Sequence, residues 1–102
     1  MRVTITSRHD EVAEALRGRA EAVVQRLAKL AQRPEHAQVE FNLEHQRHTA
    51  EIRLHAARGA VLVATADAAD HRTALDRAAA KLRRQLDKKP VSRRRAAPPR
   101  GE

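Results

Sequence analysis

The 102-residue chain carries 21 Lys/Arg against 13 Asp/Glu, a net charge of +8, and contains no Cys, Trp or Tyr. Its length sets one domain with a modest core, and the missing Cys exclude disulfides, thiolate nucleophiles and cysteine-type zinc sites. The N-terminal MRVTITSRHDE has no apolar signal core and no run reaches membrane-spanning length, so a soluble, cytoplasmic protein is expected, with no membrane partner.

Arg2–Thr6 alternates, with Val3 and Ile5 on one face, the period of a half-buried strand. From Asp10 the period changes. Val12, Leu16, Ala20, Val23, Leu27 and Leu30 recur at three- and four-residue steps, predicting an amphipathic helix of roughly two dozen residues. Asp10 is its expected N-cap and Pro34 marks its end. Gln38–Glu44 returns to period two with Val39, Phe41 and Leu43 inward, and His45–His48 reads as a turn. Ala50–Ala56 is a third strand with Ile52 and Leu54 inward. After a turn at Arg58-Gly59, Ala60–Ala66 is a fourth, with Leu62, Ala64 and Ala66 inward. A second helix is predicted from about Asp70 to Lys89, stopped by Pro90.

The order β-α-β-β-β-α predicts an α+β two-layer sandwich, a four-stranded mixed sheet with two helices on one face. Val12, Leu16, Leu27, Phe41, Leu54, Leu75, Leu82 and Leu86 are the expected buried set. Ala makes up 21 of the chain's apolar residues, so the core is thin. Residues 1–89 form the expected domain, and 90–102, rich in Pro and Arg, the expected disordered tail.

Charge is segregated. Met1–Asp70 carries ten basic and ten acidic residues, whereas His71–Glu102 carries eleven basic and three acidic, so the whole excess lies in the last third. On the second helix Leu75, Ala79, Leu82 and Leu86 form one stripe, and Arg77, Lys81, Arg84 and Lys88 cluster on the opposite side. Solvated helices generally interleave signs, and like charges at these spacings repel. A ridge of this kind points to a phosphate-bearing partner. Arg19, Arg26, Lys29 and Arg33 share one side of the first helix and are expected to extend the surface. With Phe41 the only aromatic, base stacking has little material, so recognition of backbone and shape is expected. No helix-turn-helix pattern supports sequence-specific DNA reading.

His45, His48 and His55 crowd the middle strands but lack metal-ligand spacing, and are expected on the open sheet face. His9, His36 and His71 lie at element ends with no acid–base pair beside them. The expectation is therefore no enzyme, no metal, no cofactor and no small-molecule substrate.

ITSRHDEVAEALR at residues 5–17, with EALR its closest part, HTAEIRLH at 48–55 and ALDRAAAKLRRQLDKK at 74–89 together resemble the short ribosome hibernation promoting factors. These belong to the ribosome-associated inhibitor, or ribosomal subunit interface protein, family. The resemblance covers about residues 1–89 and implies the same β-α-β-β-β-α fold. It implies binding to the small ribosomal subunit (its 16S rRNA and neighbouring ribosomal proteins) in the mRNA–tRNA channel, idling ribosomes under stress. Lys81, Arg84, Lys88 and Lys89 match the family's basic positions in the last helix and Arg26 one in the first. With Lys29, Arg33 and Arg77 from the helix reading, these are the expected rRNA-binding residues. Arg72 stands where the family usually has an aromatic, and Pro90 followed by SRRR where it continues with lysines. The second domain of the long-form factors has no counterpart here, so ribosome pairing through it is not expected. The alternatives are a general duplex RNA or DNA binder and a structural protein dimerising through the sheet face at Val61 and Val63.

Overall fold

The structure, a computed structural model, describes residues 1–8 and 11–88. Asp10, Lys89 and the expected tail lie outside the described residues. The elements run β1 (Arg2–Ser7), α1 (Glu14–Ala28), β2 (His36–Glu44), β3 (Arg47–His55), β4 (Val61–Ala68) and α2 (His71–Lys88). The strands lie side by side in chain order, β1 parallel to β2 and the other neighbours antiparallel. Parallel pairing needs a crossover, which α1 supplies, while antiparallel strands close through short turns. The expected α+β sandwich is the fold.

Alternation places the core. Ala37, Val39 and Phe41 of β2, Ala50, Ile52 and Leu54 of β3, and Ala64, Ala66 and Ala68 of β4 are buried on one face. Against them pack Ala20, Val23, Val24 and Leu27 of α1 and Ala74, Leu75, Ala78, Leu82 and Leu86 of α2. Phe41, Ile52, Leu54, Leu75 and Leu82 are among the largest wholly buried side chains. Val12 and Leu16, expected mostly buried, are half-buried at the margin. Leu43 continues the inward row of β2 yet stays 42% exposed, beyond the reach of the buried cluster.

Two boundaries differ from expectation for identifiable reasons. The β2–β3 turn has only two central residues, His45 and Gln46, with φ of 50° and 65°, and Glu44 pairs with Arg47. Positive φ at both positions is the backbone of a tight hairpin, a geometry normally signalled by Asn-Gly. Without that signal the turn was expected to be longer, and β3 gains Arg47, His48 and Thr49. Helix α1 is shorter than its periodicity suggests. Its N-cap position falls on Ala13, which makes no side-chain cap bond. At the other end, the N–H groups of Lys29, Leu30 and Ala31 donate to carbonyls three residues back, a tightening into 3₁₀ turns. Pro34 disfavours helical backbone at Arg33, which takes φ 54°. Leu30, which periodicity places in the apolar row of the helix, is therefore past the helix and 41% exposed.

Asp70 caps α2: its carboxylate accepts the Thr73 N–H at 2.7 Å and the Thr73 hydroxyl at 3.1 Å. These bonds favour the ionised form and hold its pKa below the usual carboxylate value. A depressed folded-state pKa contributes stability above the unfolded value that is lost as pH falls through the folded one. Asp70→Ala is expected to lower the melting temperature at neutral pH by about 4–8 °C and to reduce acid sensitivity. A thermal melt followed by circular dichroism at two pH values reads both, and an unshifted midpoint would remove the cap from the account.

Candidate nucleic-acid interface

The phase of α2 decides what its cations can reach. Its buried set centres on Ala78 rather than Ala79, which is half-buried. That is a rotation of about 40° from the expected stripe at 100° per residue. Small side chains explain it, because Ala74 and Ala78 settle on a layer where β4 presents Ala64, Ala66 and Ala68. The basic ridge is thereby split.

Arg77 and Lys81 stay exposed but lean toward β4. Arg77 Nη1 donates to the Asp67 carbonyl at 3.0 Å, Lys81 Nζ to Thr65 at 2.8 Å, and Gln85 Nε2 to Val63 at 2.8 Å. The three rungs follow from geometry: four helical residues rise about 6 Å, and two strand residues advance about 6.8 Å. Each cation spends one donor on a carbonyl and keeps others for a ligand. Arg84 and Lys88 are exposed, with no hydrogen-bond or ion-pair partner among the described residues.

On the first helix, Arg26 is likewise exposed and without a partner among the described residues. Lys29 and Arg33 are exposed too, but lie in the turn after α1, so the expected four-residue basic side breaks after Arg26. Arg19 is committed elsewhere. Its Nε and Nη2 grip the Asp76 carboxylate at 3.1 and 2.9 Å, a bidentate bridge between the helices that raises the Arg19 pKa. Arg83, which the expected ridge left out, lines the furrow between the helices with Arg26. Its signal was hidden, because only the true phase of α2 turns it toward α1.

The open sheet face is different. Arg2, Arg8, Arg47 and Arg53 there are matched in number by Glu40, Glu44, Glu51 and Asp67. Three of those cations are paired: Arg8 with Glu40 at 2.6 Å, Arg53 with Glu51 at 3.1 Å and Arg47 with Asp67 at 3.5 Å. Such a face has no net pull on a polyanion. On α2 alone, six cations face two acids, and both acids already hold an arginine. Val61 and Val63 are exposed at 48% and 36%. Their cross-strand partners are His55 and Arg53, so the apolar patch is small.

The histidines do not share one face. His55 stacks on His36 across the open face, rings 5.5 Å apart. Burial, with the Arg2 charge secondary, lowers the His36 pKa. His48, expected on the open face, pairs with Leu43 and Ala68 on the inner one because the turn is short. Its ring meets His71 edge-on at 4.3 Å, and His71 lies 5.2 Å from Phe41. Among the described residues, no group of three His, Cys, Asp or Glu is placed to hold a metal ion, and no helix is long and apolar enough to cross a membrane.

Similar architecture is found in solved structures. A ribosomal subunit interface protein from Coxiella burnetii superposes with a TM-score of 0.77 at 20% identity, over 90% of this chain and 100% of that one. The N-terminal domain of Thermus thermophilus Protein Y gives 0.74 at 28% identity, over 86% and 98%. No curated protein matches the sequence significantly. The Sigma 54 modulation protein / S30EA ribosomal protein family model matches residues 3–93. Nearly the whole chain is thus accounted for, fold and sequence together, and the chain belongs to that family of ribosome-associated modulation proteins.

Proposed function

We propose that this protein is a cytoplasmic hibernation factor that binds the small ribosomal subunit and idles it under stress. It sits in the channel used by mRNA and tRNA, with its helical layer against rRNA. One observation carries the reading: cations without a partner among the described residues gather on the helical layer, whereas those of the open sheet face are largely paired. Arg26, Arg84 and Lys88 are the principal phosphate contacts. Arg77 and Lys81 contribute from the β4 side, Lys29 and Arg33 from the turn after α1, and Lys89 as the residue that follows Lys88 in sequence. Membership in a ribosomal family and likeness to a protein named for the subunit interface support the choice of partner. The role is one of occupancy, with no reaction catalysed.

Cosedimentation tests it. The full chain is expected to travel with purified small subunits and to be displaced by mRNA with initiator tRNA. Pelleting that mRNA and tRNA leave unchanged would refute the channel. Binding to free RNA duplexes with equal affinity would make the protein a general duplex binder instead.

A further inference from the structure

The furrow between α1 and α2 combines an apolar floor with a basic rim. Val23 and Leu27 form its buried base, Leu30 and Ala79 its partly open walls, and Arg26 and Arg83 line it as well. Its volume is about 390 Å³. The Arg19–Asp76 bridge ties the two helices together at its edge.

We propose that this furrow receives one unpaired nucleotide of an RNA strand, its base against Leu27, Leu30 and Ala79 and its flanking phosphates on Arg26 and Arg83. The inference rests on the rRNA reading above and names one subsite within it. Three observations select this occupant. The volume is at the small end of ligand sites, about 300–1,000 Å³, which suits one flat ring with its sugar. Phe41, the one Phe, Tyr or Trp of the chain, is wholly buried, so between the helices a splayed base would stack on aliphatic walls and guanidinium planes, and the furrow offers both. Arg26 has no partner among the described residues, and Arg83 holds only an exposed Asp87 at 3.6 Å, a pair that a phosphate can replace. An acidic amphipathic helix would match the charge but needs an apolar row over several turns. Here α1 ends at Ala28, and the apolar lining from its side spans only Val23 to Leu30.

The test is ultraviolet crosslinking of the full chain to a short single-stranded RNA containing 4-thiouridine, with crosslinked peptides mapped by mass spectrometry. Crosslinks are expected within residues 23–30 and 79–83. Ala79→Leu fills the furrow without changing charge and is expected to weaken binding to that RNA about tenfold, with a fully paired duplex little affected. Arg26→Gln, which leaves the floor intact, should weaken single-strand binding too. Crosslinks confined to other surfaces, or single-strand affinity unchanged in the folded Ala79→Leu protein, would overturn the proposal. So would a Glu-rich amphipathic peptide that binds in an Ala79→Leu-sensitive manner while the RNA leaves the furrow unlabelled. Small-subunit sedimentation separates the two levels. If wild type and Ala79→Leu bind subunits equally, the subsite falls and the ribosomal reading stands. If neither binds subunits but free RNA still labels the furrow, the ribosomal reading falls and the subsite stands.

Discussion

On the function proposed above, replacing Arg26, Arg84 and Lys88 together by Glu is expected to abolish binding to small ribosomal subunits and leave the domain folded. All three side chains are exposed and none has a partner among the described residues. Surface changes of this kind usually shift stability by no more than about 0.5 kcal/mol each. Binding responds differently. Each phosphate contact releases counterions, so a triple Gln variant should flatten the dependence of log K on log salt by about 0.7–0.9 per contact, about 2–3 in all. Glu adds repulsion to that loss. Circular dichroism confirms folding, and sedimentation with small subunits over a salt series measures binding. A folded Glu variant that still binds at near wild-type affinity would reduce these cations to an ordinary solvated surface.

Phe41→Ala will have the largest effect on stability. Phe41 is wholly buried in the middle of β2, with His71 over its ring. Truncating a buried Phe costs about 3–5 kcal/mol, because a cavity adds to the lost transfer energy. A small domain has about 5–15 kcal/mol in total. The surroundings cannot close the gap, since much of the core is Ala, whose side chain has no reach. Urea unfolding should show a greatly lowered midpoint or no cooperative transition at neutral pH. Phe41→Leu should recover much of the loss. A midpoint within a few tenths of molar urea of wild type would show that Phe41 is not the centre of the core.

How far the sequence disclosed this molecule depended on how sharply each pattern excluded its neighbours. Only one sheet face is buried, so a one-residue slip would expose Val39, Phe41, Ile52 and Leu54 together, and the strands were readable for that reason. The consecutive alanines Ala78, Ala79 and Ala80 impose no such penalty. They fit the α2 stripe at several phases, and the choice was made by the small inward side chains of β4, which lie far away in sequence. Arg83 went unrecognised as a furrow residue for the same reason. Periodicity also carried Leu30 into α1, because an apolar residue at the right spacing looks helical even where Pro34 has begun to unwind the backbone. His48 and His71 are 23 positions apart, and only tertiary packing brings their rings together.

The three rungs from α2 to β4 also bear on solubility. β4 is an outer strand, and an unpaired row of carbonyls there would invite another chain to add itself to the sheet. Arg77, Lys81 and Gln85 occupy those acceptors and set two positive charges where a second copy would approach. The helix proposed to meet rRNA would thus also guard the sheet against self-addition. Removing the rungs with Arg77→Ala, Lys81→Ala and Gln85→Ala should give concentration-dependent growth in light scattering, whereas changes at Arg84 and Lys88 should not. Equal scattering from both variants would separate the rungs from solubility. On the proposed function, Arg84 and Lys88 would be the positions where affinity for the ribosome can change without opening an edge.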